Sequence, residues 1–133
     1  MIVVDTSAWI EWFRATESDV HRQLRELIRR RAALAVTEVV VAEVLAGVPR
    51  TRIDATRAHL LSLRLLRLRG LPDFEAAASL YRACRDAGET VRHISDCLVA
   101  VPAIRARAKL LHADRDFEKL ARHTPLKVEP LPV

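Results

Sequence analysis

The stretch Ile2-Val3-Val4-Asp5-Thr6-Ser7 constrains the fold more than any other part of the chain. Three consecutive apolar residues predict a short buried strand, and such a strand has to sit inside a sheet. Asp5 then marks the rim of that sheet, and two hydroxyls follow it. A carboxylate in this position reads in two ways. It caps the helix that comes next, or it is one ligand of a cation. Asp5 alone does not separate the two.

The chain beyond it alternates strands and helices. Trp9, Trp12 and Phe13 share one helical face, and Thr6 or Ser7 is placed to cap that helix. Ser18 and Asp19 open a second helix with Val20, Leu24, Leu27 and Ile28 inward. Leu34–Thr37 reads as a strand and Glu38–Gly47 as an apolar helix ending at a glycine. Residues 50–64 predict a basic helix with Ile53, Leu60 and Leu61 inward. Leu66 and Leu68 alternate with arginines, which suggests a third strand. Asp73 caps a helix reaching Ala87, with Phe74, Ala77, Ala78, Tyr81 and Cys84 as its apolar stripe. Ser95 and Asp96 open another, running to about Ala108, in which Pro102 predicts a kink. Lys109–Ala113 is a strand, Asp114-Arg115-Asp116 leads into a short helix, and Lys127–Glu129 suggests an edge strand. The expected fold class is α/β: one domain over residues 1–133, with a central parallel sheet of four to five short strands and helices on both faces.

In such a sheet, ligand sites form beyond the carboxyl ends of the strands. Asp5, Asp114 and Asp116 follow strands, and Asp96 lies in a first helical turn aimed at the same edge. Glu43 is a lone acid in an otherwise apolar run, on a helix expected to face the core. Each acid also has a purely structural reading, as a cap, a partner of the helix dipole, or one half of an ion pair. Gathered together, they demand a cation: two like charges about 4 Å apart repel by about 4 kcal/mol at an effective dielectric of about 20. Oxygen ligands select Mg2+ or Mn2+ over zinc, and His21, His59, His93, His112 and His123 are scattered. Carboxylate-held Mg2+ is suited to phosphodiester cleavage. The 22 basic against 17 acidic residues, a net charge of +5, suit a polyanionic partner.

Val3–Trp9, then Glu43 with Leu45 and Gly47, then Asp96–Ala100, then Ala113–Phe117 resemble the PIN-domain nucleases. The length and the Thr90-Val91-Arg92 stretch resemble the VapC-type toxins of toxin–antitoxin pairs in particular. The resemblance implies an Mg2+-dependent endoribonuclease, Mn2+ also serving, that acts on transfer or ribosomal RNA. It implies homodimers and a small antitoxin that blocks the site and alone contacts operator DNA. It carries over Asp5, Glu43, Asp96 and Asp114 as the catalytic acids, with Asp116 a further or second-metal ligand beside Asp5, Asp96 and Asp114. Thr6 and Ser7 are expected to hydrogen-bond within the cluster. Arg92 is a candidate phosphate contact, or else a salt-bridge partner of Asp96 or Glu89.

Other classes fit less well. An aspartyl-nucleophile phosphatase would want a second acid where Ser7 stands, and no P-loop, GxGxxG or HExxH occurs. A catalytically idle relative that binds RNA or protein would be marked by lost acids, and none is missing. The N-terminus has no basic segment before its apolar run, so no signal peptide is expected. The run Cys97–Ile104 is too short to span a bilayer. Cys84 and Cys97 make no metal-binding spacing and are expected to be free, buried thiols of a cytoplasmic protein.

Overall fold

Ile2–Val4 forms β1, and all three side chains are buried. The structure, a computed structural model, describes residues 1–132. β1 is the middle of a five-stranded parallel sheet, with β2 (Leu34–Thr37) and β3 (Arg64–Leu66) on one side and β4 (Lys109–Leu111) and β5 (Lys127–Val128) on the other. Val3 pairs with Ala35 and Leu110, and Val4 with Leu111. The short continuous apolar runs are explained by this position, because a parallel strand under helices on both faces has no solvent side.

The strand order 3-2-1-4-5 runs outward from β1 in one direction, then returns. Right-handed crossovers therefore put the helices before β3 on one face and those after it on the other. The first layer holds α1 (Thr6–Phe13), α2 (Asp19–Arg29), α3 (Glu38–Gly47) and α4 (Ile53–Leu61), with α1 packed on α2 and α3, and α3 on α4. The second holds α5 (Leu71–Asp86), α6 (Ile94–Arg105) and α7 (Asp116–His123), which pack on one another. Trp9, Leu24, Leu27, Val36, Val40, Leu60, Leu110, Leu111, Phe117 and Leu120 are fully buried between these layers and the sheet. Cys84 and Cys97 are free and buried. No helix among the described residues is long and apolar enough to cross a membrane.

Several expected boundaries and faces shift. β3 ends at Leu66, before the Leu66–Leu68 alternation. The Leu68 N–H donates to Glu38 Oε1 at 2.7 Å and the Arg69 N–H to Asp73 Oδ2 at 2.6 Å, so side chains take the donors a ladder would use. Asp73 lies inside the first turn of α5 and Gly70 occupies the cap, at φ +69. Arg105 draws Asp73 inward, and α5 turns accordingly: Asp73, Ala77 and Cys84 are buried while Phe74 and Ala78 face solvent. Residues 50–64 divide into a turn at Arg50–Arg52 and α4, which buries Thr56 and Leu60 and leaves Leu61 exposed. Ile28 and Phe13 sit at the exposed edges of their stripes. α6 stops at Arg105, and its span includes the buried Pro102. β4 stops at Leu111, so His112 lies just beyond the strand.

Candidate active site

Asp5 is 4% exposed at the carboxyl end of β1, and its N–H donates to the Leu111 carbonyl at 3.0 Å. That bond fastens the end of β1 to the end of β4, from which the chain runs on to Asp114. Asp5 also caps α1, its Oδ2 accepting the Ser7 N–H at 2.9 Å and the Ser7 hydroxyl at 2.6 Å. The cap reading of Asp5 therefore holds, and the cap engages one of its two oxygens. Ser7 Oγ in turn accepts the Ala113 N–H at 2.9 Å, so a single hydroxyl spans the two strand ends. Burial raises the Asp5 carboxyl above its ordinary range; the Ser7 bonds oppose this and the nearby Glu43 charge adds to it.

Glu43 departs from expectation. α3 buries Val40 and Val44, a stripe one turn long, and Glu43 falls on the neighbouring exposed side. Its Oε1 accepts the Thr6 hydroxyl at 2.9 Å, which ties α3 to the start of α1. Thr6 and Glu43 stand on the wall of a groove of about 390 Å³ that continues past Ile10, Phe13, Val48 and Arg52.

Asp96 lies in the first turn of α6. Its Oδ2 is buried and has no hydrogen-bond partner. Burial pushes its carboxyl up to about 7, reinforced by the charges of Asp5, Asp114, Asp116 and Glu43. All the predicted acids thus bear on this one group. An ionised carboxylate buried among others is costly without a counter-charge, and among the described residues Asp96 has neither a cationic partner nor a hydrogen bond on its buried Oδ2.

Asp114 and Asp116 are differently placed. Arg92 Nη2 donates to Asp114 Oδ1 at 2.8 Å, and Arg92 Nε and N–H donate to Asp116 Oδ2 at 2.9 and 3.0 Å. Lys119 Nζ lies 2.9 Å from Asp116 Oδ1. Burial would raise the Asp116 carboxyl, but the Lys119 and Arg92 bonds overcome it and hold it down at about 2. Arg92 was expected to meet Asp96 or Glu89 if it formed an ion pair; its partners are Asp114 and Asp116. Glu89 is held instead by Arg122 and His123.

One residue escaped the sequence reading. His93 occupies the cap position of α6, and its ring, Asp96 and Asp116 bring ligand atoms within 4.8 Å of one another. The available signal was positional: a side chain at the cap lies beside a first-turn acid three residues on.

The donor set fits a divalent cation. Asp96 Oδ2 is an orphaned buried oxygen, four further acids raise its carboxyl, and oxygen ligands with at most one imidazole suit Mg2+ or Mn2+.

A sequence model of the PIN domain matches residues 2–123. The chain is 45% identical over 129 residues to the VapC ribonuclease Mb1587 of Mycobacterium bovis, spanning 96% of each protein. It is equally similar, over the same share of both chains, to ribonuclease VapC11 of Mycobacterium tuberculosis. Among solved structures, VapBC2 from Rickettsia felis, bound to a DNA fragment from its promoter, superposes with a TM-score of 0.69 at 17% identity. That match covers 97% of this chain and 98% of the other.

Proposed function

The chain belongs to the PIN-domain family, and from that membership we propose that it is the ribonuclease toxin of a toxin–antitoxin pair, hydrolysing RNA phosphodiester bonds at the acidic site with Mg2+, or Mn2+ in its place. The observation that carries this reading is the orphaned, raised carboxylate of Asp96, surrounded by acids from four other points of the chain. Asp5, Asp96 and Asp114 would hold the ion. When bound, the ion would supply acidification of water and a counter-charge for developing negative charge on phosphate oxygens. Ser7 engages one Asp5 oxygen, which leaves the other for the ion. Thr6 fixes Glu43 by Oε1, leaving Oε2 at the opening to accept the proton released by the attacking water.

The 45% identity to proteins named VapC ribonucleases supports RNA as the substrate, with transfer or ribosomal RNA the proposed class. The likeness to a VapBC complex supports an antitoxin partner. The groove beside Glu43, where Ile10 and Phe13 are 39% and 40% exposed, offers that partner an apolar seat adjoining the acids. The chain is further proposed to act as a homodimer in the cytoplasm and to meet operator DNA only through the antitoxin.

The test is cleavage of a total small-RNA pool with Mg2+ or with EDTA, by the parent protein and by Asp5→Asn. Cleavage is expected with Mg2+ only, and none from the variant. Equal cutting in EDTA contradicts the metal mechanism. Absence of cutting under every condition points to a binding module that has kept its acids without using them.

A further inference from the structure

Asp114 and Asp116 both hold a cationic partner, and Asp116 is the more fully engaged of the two. Both of its oxygens are engaged, Oδ1 by Lys119 and Oδ2 twice by Arg92, and its side chain is 2% exposed. Lys119 Nζ also donates to the Thr90 carbonyl at 3.0 Å. Asp116 and Lys119 together therefore fasten the segment Thr90–Arg92, which leads into α6, onto the first turn of α7. A cation would have to displace a lysine or an arginine to reach either oxygen, whereas Asp96 Oδ2 stands unpartnered.

The same bonds fix where Arg92 points. Its side chain remains 63% exposed although Nε and Nη2 are both anchored. It lines a hollow of about 570 Å³ shared with Arg115, Lys119 and Arg122 and with two acids, Asp116 and Glu118. Four cations against two acids leave this concavity net positive although Lys119 and Arg122 are paired with Asp116 and Glu89, and such a basic concavity suits a backbone phosphate.

We propose that Asp116 is a positioning residue and not a metal ligand: with Lys119 it holds Arg92 at the rim of the acidic site, and the basic hollow so formed receives an RNA phosphate next to the one that is cleaved. This rests on the metal-nuclease reading above. Phosphate binding there uses the free edge of a guanidinium whose other edge is spent on Asp114 and Asp116, so Arg92 meets RNA without being drawn off the acids.

The experiment titrates Mn2+ into the intact protein by calorimetry and measures kcat and KM on an RNA that the parent cleaves. The double variant Asp116→Asn with Lys119→Met keeps the local charge balance. It is expected to bind Mn2+ within about threefold of the parent, because the opposite charges removed nearly cancel at the ion, while Asp96→Asn loses binding. Its KM should rise about tenfold with kcat nearly unchanged, matching Arg92→Met, the loss of one charge-assisted hydrogen bond. The slope of log KM against log salt should shallow by about 0.7 in both, as for one lost contact to a single strand; a merely structural defect does not change that slope. Loss of Mn2+ binding in the double variant, equal to that of Asp96→Asn, overturns the proposal, as does an unchanged KM. A parent protein that binds no Mn2+ contradicts the underlying reading and the proposal with it, and is recognised because Asp96→Asn then titrates identically.

Discussion

Asp96 concentrates the electrostatic cost of the site. Its carboxyl stands at about 7 in the fold against an ordinary 3.8, because burial and four surrounding acids disfavour its charge. Between those two values the folded protein keeps a proton that the unfolded chain has released. The stability this protonation provides is complete below about pH 4 and is lost as pH rises through about 7. Asn cannot ionise, so Asp96→Asn should melt higher than the parent at pH 8 in EDTA, by about 2–5 °C, with the gap closing toward pH 4. Added Mg2+ should reverse the gap, because only the parent gains from the ion. A gap independent of pH contradicts this account of Asp96. Asp5 and Asp96 were legible as acids at strand and helix ends. Which acids own a cation was only half legible: Lys119 meets Asp116 at the i,i+3 spacing of one helix, but Arg92 reaches it through a tertiary contact that no local pattern encodes.

At the level of elements, regular patterns read correctly and their ends did not. β1, β2 and α3 keep the boundaries their apolar runs suggest; Asp5, and not Thr6 or Ser7, caps α1, while Ser18 and Thr37 cap α2 and α3. β3 was displaced because its last donors go to Glu38 and Asp73, and α5 was turned because Arg105 pulls Asp73 under it. Glu43 was misplaced for a related reason. An apolar helix suggests an acid in the core, but α3 buries only one stripe and keeps Glu43 at its edge for Thr6. The role given to Glu38 is open to measurement. Glu38→Ala removes the acceptor of the Leu68 amide, so that amide should exchange faster with solvent and the fold should lose about 1–2 kcal/mol. Unaltered protection at Leu68 excludes Glu38 as the terminator of β3.

Across the whole molecule, the site exists because parallel pairing sets the N-terminal strand against β4. Asp5 and the Asp114–Asp116 turn then leave the same edge, and α6 begins there with Asp96. A right-handed α/β order makes this edge the place where ligands gather, and for that reason convergence of the acids could be anticipated from the alternation of strands and helices. The central claim is that this edge holds a divalent ion at Asp96 and uses it to cut RNA. The direct measurement is the cleavage rate of a labelled RNA across an Mg2+ titration, by the parent and by Asp96→Asn side by side. The parent rate should rise with Mg2+ to saturation and vanish in EDTA, and the variant should stay at least about a hundredfold slower at every concentration. An Mg2+-independent parent rate, or a variant that follows the parent curve, contradicts the claim.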